Sequence, residues 1–363
     1  MNAYLKQEDS IISELTSLYS GRGFRRFKPA CFEDYSLYLS NIDFLISKNV
    51  ITFSGAGGRL LALRPDVTLS VISHAKNEAG TKKLFYNEKV YRRTDENGEF
   101  REVSQTGVEV YGDIDCACEA EIILLSVKTL HTVSDDFVLD LSHMGYTEGL
   151  ISAFCKSAEE KQRAYAYLRS KNLHDFDTFA ESIGADKKYR EAFRQMVNIG
   201  GNASDAAQLA EKYALNSQMK EAAEQLKQLV GLVGKLGYAD KININFSIAN
   251  NADYYNGIIF NGYVGGVPKM VLSGGRYDKL LQRLKKCGGA IGFALYLGEL
   301  ERYFKPDYAF VDKLIVYDDN LVLKALQTAE ELTSSGSTIR LSKTIPEDLR
   351  FGGVIDLREG KKC

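Results

Sequence analysis

Four short segments gather polar side chains among glycines and aromatics in a way that ordinary core strands do not. They are LRPDVT (63–68), YRRTDENGEFREVSQTGVEVYG (91–112), NNADYYNGIIF (250–260) and SGGRYD (273–278). Each admits a plainer structural role. Asp66 and Thr68 follow Pro65, where a turn or a helix cap would use them, and Glu109 could be an exposed strand carboxylate. Together they offer what the binding of a free amino acid demands. At neutral pH such a ligand carries an ammonium and a carboxylate. A selective site therefore needs acidic acceptors, a cationic donor and polar groups fitted to the side chain, all in a partly dry cleft.

The elements that must position these groups are legible in outline. Residues 4–20 place Ile11, Ile12, Leu15 and Leu18 at helical spacing, and Gly21 and Gly23 stop the helix. From there to Asp113 the runs GFRRFKP, NVITFS, RLLALRP, KLFYNEKVYRRT and FREVSQTGVEVYGD carry β-branched and aromatic residues in partial alternation, which predicts strands. DENG separates the last two. Its Asn97-Gly98 pair tolerates positive φ, so these strands are expected to form an antiparallel hairpin. EAEIILLSVKTLHTV, from Glu119, reads as a helix and FVLDLSHMG, from Phe137, as a strand.

Between about 146 and 238 the composition shifts to Ala, Glu, Lys, Gln and Leu with helical periodicity and no proline, which predicts an all-helical unit. Strand signals return in KININFSIANN, YYNGIIFNGYV, KMVLSGGRY and AIGFALYL. The expected organisation is a core of residues 1–145 and 240–305, interrupted by a helical insertion at 146–239. A short C-terminal α/β segment, 306–363, follows with one strand-like run (KLIVYDD) and one helix.

Composition bounds the functional classes. A chain of 363 residues with 45% apolar side chains can build a sizeable core and about two domains with a smaller third piece. Its 46 basic and 48 acidic residues give a formal charge of -2, so no global field draws it to a polyanion. The pairs Arg25-Arg26, Lys82-Lys83 and Lys285-Lys286 read as solvated surface. No apolar run is long enough to span a membrane, and the polar, amphipathic start has no signal-peptide block, so a cytoplasmic protein is expected. The six cysteines are scattered. Only Cys116 and Cys118 lie close, without the further ligands that a metal site would need, so free thiols are expected.

The four segments, in this order, resemble the active site of histidyl-tRNA synthetase and its non-catalytic relatives, over about residues 5–145 and 240–303. The resemblance implies an α+β fold: a class II aminoacyl-tRNA-synthetase-like antiparallel sheet flanked by helices, with an all-helical insertion. It also implies a ligand set. Asp66 and Thr68 would hold the ammonium of a histidine, joined by Gln105 and Glu109. Arg92, matching the motif 2 arginine, would face the carboxylate, and Tyr254 and Tyr255 would give hydroxyls and ring faces to the imidazole.

The departures from a synthetase fall on the cations that phosphate chemistry needs. Asn250 stands where these synthetases have an arginine, four residues before the first tyrosine of DYYN. Glu299 aligns with the motif 3 arginine, and Thr94 replaces an acidic residue two places after Arg92. Losing one transition-state donor costs about 10²–10³ in rate, so several losses should abolish amino-acid activation. The tail, read as a degenerate anticodon-binding domain, and the slightly acidic charge argue against a tRNA partner.

The resemblance therefore implies no catalytic residues, no cofactor and no metal. It implies a histidine-sensing regulatory subunit that joins a short-form ATP phosphoribosyltransferase catalytic subunit. Free histidine would be its allosteric ligand in the first step of histidine biosynthesis. A homodimer built on the first helix and the strand near GFRRFKP would be the unit within a hetero-oligomer. The alternative is a divergent or truncated histidyl-tRNA synthetase.

Overall fold

The computed structural model describes residues 3–45, 49–76, 79–93, 99–249, 254–300, 309–347 and 349–358. Contacts divide the chain into two compact units, Ile11–Tyr303 and Met1–Ser10 with Phe304–Cys363. Helix α1 (Ala3–Ser20) buries Ile11 and Leu15 of the expected stripe, leaves Ile12 and Leu18 half-buried, and buries Tyr19 in addition. After β1 (Arg25–Arg26) come β2 (Phe32–Asp34), α2 (Tyr35–Ser40), β3 (Thr52–Ser54) and β4 (Leu60–Leu63). NVITFS and RLLALRP thus form strands as expected, and they pair in a separate antiparallel sheet of order β2-β4-β3 that also takes in a strand the sequence did not signal.

Helix α3 (Val67–Ser73) follows, then the two longest strands, β5 (Lys82–Arg93) and β6 (Phe100–Gly112). They run antiparallel from Lys82 opposite Tyr111 to Arg93 opposite Phe100. The Asn97-Gly98 turn between them lies outside the described residues. Helix α4 (Cys116–Val133) starts at Asp115, whose side chain accepts from the Cys118 N–H. It leads to β7 (Phe137–His143).

Next come α5 (Met144–Phe154), α6 (Ala158–Ser170), α7 (Leu173–Ser182), α8 (Lys187–Asn198), β8 (Gly200–Asn202), α9 (Ala203–Tyr213) and α10 (Ser217–Val233). Ser157 and Glu160 form a capping box at the head of α6. Phe176 and Phe193 stack at 3.6 Å inside this block. The insertion is helical except for β8, a three-residue strand whose glycines hid it among helix formers.

The chain then returns through β9 (Ile242–Asn245), β10 (Ile258–Val264), β11 (Leu272–Arg276), α11 (Asp278–Arg283), β12 (Gly289–Tyr296) and α12 (Leu297–Leu300). The main sheet has nine strands in the order β1-β5-β6-β12-β11-β10-β7-β9-β8. It is antiparallel, as expected, apart from the parallel pairs β1·β5 and β7·β9. Strands β6, β12, β11 and β10 lie at its centre.

The smaller unit contains β13 (Ala309–Val311), β14 (Lys313–Val316), α13 (Val322–Ser334), β15 (Ile339–Ser342), β16 (Leu349–Phe351) and β17 (Val354–Asp356). Parallel strands in the order β15-β14-β17 form one sheet, and β13 and β16 pair in parallel as a second. Leu314 and Val316 pack on one face with Leu349, and Ile315 packs on the other with Ala325 and Ala329 of α13. The expected strand and helix are present; four further strands of three or four residues were too short to signal. Among the described residues no helix is long and apolar enough to cross a membrane.

Candidate functional site

The register of the central strands builds a pocket floor from small residues. On one face of β6 lie Gln105, Gly107 and Glu109; opposite them on β12 lie Tyr296, Ala294 and Gly292. Ser273 and Gly275 of β11 continue the same face. Side chains alternate across a pleated strand, so these positions share a side, and all but the outermost are too small to fill it. At Gly292 a Cβ would lie 1.9 Å from Glu109 Oε2, and at Gly107 one would lie 2.8 Å from the Tyr86 hydroxyl. Glycine at these positions is what lets Glu109 and Tyr86 lie over the sheet.

Glu109 is 1% exposed. Its Oε1 accepts from Thr68 Oγ1 at 2.5 Å, and its Oε2 accepts from the Tyr277 hydroxyl. Burial pushes its carboxyl up to about 8; the hydroxyl donors Thr68 and Tyr277 oppose this, and the charge of Asp66 adds to it. A carboxyl held this way keeps its proton for the most part at neutral pH.

Asp66 fills the helix-cap role that the sequence offered and also faces a cation. One oxygen caps α3 by accepting from the Leu69 N–H at 2.8 Å, and the other lies 3.6 Å from the Arg92 guanidinium. Burial raises its carboxyl, against the pull of Arg92 and the cap N–H groups. Arg92 Nε donates to the Pro65 carbonyl at 2.8 Å, which ties β5 to the segment carrying Asp66 and Thr68.

Tyr254 and Tyr255 meet edge to face at 4.7 Å, and Tyr254 lies 5.4 Å from Tyr277. Burial raises both hydroxyls, so they stay protonated donors. Tyr255 lies against Gly275, where a Cβ would come within 2.7 Å of its ring. Gln105 is 3% exposed, and its amide nitrogen has no hydrogen-bond partner. Leaving such a donor unmet costs about 1–3 kcal/mol, so an acceptor arriving in the pocket would be favoured there.

The structure thus gathers Asp66, Thr68, Arg92, Gln105, Glu109, Tyr254 and Tyr255 about one stretch of sheet. Sequence reasoning missed Tyr277, although it stands in the quoted SGGRYD run, and also Tyr86, Tyr296 and Ser273. Strand pairing brings in Tyr86, Tyr296 and Ser273, and a hydrogen bond to Glu109 brings in Tyr277; no single run displays either. Thr94 and Asn250 lie outside the described residues. Glu299 stands on α12, its side chain 40% exposed and 3.6 Å from the Lys269 ammonium.

A mainly antiparallel sheet bearing such a pocket between flanking helices is the class II aminoacyl-tRNA synthetase architecture. A solved structure described as an ATP phosphoribosyltransferase regulatory subunit/histidyl-tRNA synthetase, from Bacillus halodurans, shares it with a TM-score of 0.81 at 20% identity; the match covers 98% of this chain and 95% of that one. The family model described as histidyl-tRNA synthetase matches residues 2–300, and the chain belongs to that family.

Within it, the chain is similar to the ATP phosphoribosyltransferase regulatory subunit of Oceanobacillus iheyensis. The two are 25% identical over 350 residues, covering 94% of this chain and 85% of the relative. A structure of an ATP phosphoribosyl transferase complex from Thermotoga maritima contains a chain of the same fold, with a TM-score of 0.63 at 16% identity over 79% of this chain and 96% of that one. The resemblance expected from the four segments is therefore upheld.

Proposed function

We propose that the protein is a non-catalytic regulatory subunit of ATP phosphoribosyltransferase that senses free histidine and carries feedback inhibition to a short catalytic subunit. The observation that carries this reading is the buried Glu109, fixed by Thr68 and Tyr277 on the sheet face that also carries the unmet Gln105 amide, in a chain whose curated relatives bear that subunit's name. Asp66 and Thr68 would receive the ammonium, with Gln105 and Glu109 joining them around the histidine, Arg92 would face the carboxylate, and Tyr254 and Tyr255 the imidazole. Glu299 supports a role without phosphate chemistry, because it puts a carboxylate where a synthetase would aim a cation.

Regulation would follow from linkage: histidine favours one state of the assembly and shifts the catalytic subunits toward it. No cofactor enters this scheme. A self-associated dimer within a cytoplasmic hetero-oligomer, without tRNA, completes it.

Calorimetry with free histidine tests the proposal. Binding is expected, and Glu109→Ala should weaken it and make the partner enzyme less sensitive to histidine. Absence of binding, or failure to co-purify with a short catalytic subunit, would overturn it. The family's description favours a second reading, a divergent histidyl-tRNA synthetase. Pyrophosphate exchange dependent on both histidine and ATP would establish that one instead.

A further inference from the structure

Tyr255 and Tyr277 border the pocket, and their sequence neighbours Asn256 and Arg276 lead out of it. The Asn256 N–H donates to the Arg276 carbonyl at 3.0 Å, and its side-chain amide donates to Asp278 at 3.0 Å. Arg276 Nε donates to both Asp278 oxygens, at 2.9 and 3.1 Å, while its Nη1 donates to Glu119 Oε1 at 2.9 Å. Glu119 is 1% exposed in the first turn of α4, where the helix N-terminus favours a carboxylate. Its second oxygen accepts from Gln225 Nε2 of α10 at 2.5 Å. Gln225 Oε1 in turn lies 2.9 Å from His143 Nε2. His143 caps α5, its Nδ1 accepting from the Gly145 N–H at 3.0 Å.

Every link has one polarity. Because Nδ1 of His143 accepts, Nε2 carries the ring proton and donates to Gln225, whose amide is then left to donate to Glu119. Burial keeps the imidazole neutral, pushing it down to about 4. An ion pair between Arg276 and its two carboxylates would be complete as a local staple of the sheet. Taking Gln225 and His143 into the same chain joins it to two helices of the insertion.

We propose that the hydrogen-bond chain Arg276–Glu119–Gln225–His143 is a relay that ties occupancy of the amino-acid pocket to the setting of α5 and α10. The inference rests on the reading that histidine occupies the pocket, and it names how that site is regulated. A ligand gripped by Tyr255 and Tyr277 steadies Asn256 and Arg276. Through Glu119 it steadies Gln225 and the α5 cap, which open more often in the empty protein.

Hydrogen–deuterium exchange of the full chain, with and without saturating histidine, tests this. In the wild type, histidine should slow exchange in the first turn of α5 and around Gln225 by about 5-fold or more, the lower end of usual coupling. Gln225→Met fills the space of the amide but neither donates nor accepts. It should still bind histidine by calorimetry and lose the slowing in α5 and α10, while β11 keeps it. A purely structural role would raise exchange in both ligand states alike and leave the ratio unchanged.

Equal slowing in the variant and the wild type, or a wild type that binds histidine with no change in these helices, would overturn the relay. A wild type without histidine binding overturns the pocket reading itself, and the relay falls with it. Should Gln225→Met fail to fold, Gln225→Asn withdraws the amide by one methylene and is read in the same way.

Discussion

Two carboxylates on the same chain meet opposite circumstances. Glu109 lies under the pocket, 1% exposed, its oxygens committed to Thr68 and Tyr277. Glu299 stands on a short helix, 40% exposed, beside a lysine at 3.6 Å. The protein sets the position and proton affinity of the first, whereas water and counter-ions screen the second. Selectivity for a small zwitterion can be built only where solvent has been removed, and the small-residue floor of β6, β12 and β11 is what removes it.

The contrast can be broken or sharpened by experiment, and the largest effect concerns pH. Folded Glu109 titrates at about 8 and an unfolded glutamate near 4.5, so between these values the folded chain holds an extra proton. The stability linked to that proton is complete below the lower value and is lost as pH rises through the upper one. The unfolding free energy from urea titration should therefore fall across this window by on the order of 5 kcal/mol. Glu109→Gln should flatten the slope, and an unchanged slope would remove the special status of this carboxyl.

Next in size, Glu109→Ala should weaken histidine binding by about 10- to 100-fold in calorimetry, since a hydrogen bond to a charged group is worth about 1.5–3 kcal/mol. Gly292→Ala, whose Cβ would fall 1.9 Å from Glu109 Oε2, should cost about 1–3 kcal/mol and lower the melting temperature by several degrees. Smallest of all, Glu299→Gln should move stability by less than about 0.5 kcal/mol and leave histidine affinity unaltered. If it shifted that affinity as much as a change at Glu109 does, the distinction between the two regions would disappear.

Long, strongly patterned elements were legible in the sequence. β5 and β6 run 12 and 13 residues with aromatic and β-branched side chains, α1 shows through helical periodicity and the glycines that stop it, and α4 through the run from Glu119, although its cap Asp115 and first residues lie outside that run. Strands of three residues such as β2, β8 and β17 offer no alternation to read. The ligand set of the pocket was reached through family resemblance rather than through pattern. Tyr86 and Tyr296 look like core aromatics until strand register sets them opposite Gly107 and Gln105, and Tyr277 until its hydroxyl meets Glu109, because contact between distant segments is a property of the fold and is absent from any single run. Asp66 adds a smaller case: one oxygen caps α3, as its place after Pro65 allows, and the other faces Arg92, a pairing that only the fold brings about.

The edge strand β8 carries a practical consequence. Gly200–Asn202 hydrogen-bonds antiparallel to β9, so the helical block is stitched into the sheet it interrupts. Cutting out that block as a cassette would strip the cover from β9 and expose a raw border able to recruit foreign strands. A trimmed or grafted version should therefore keep those three residues or supply another strand in their place.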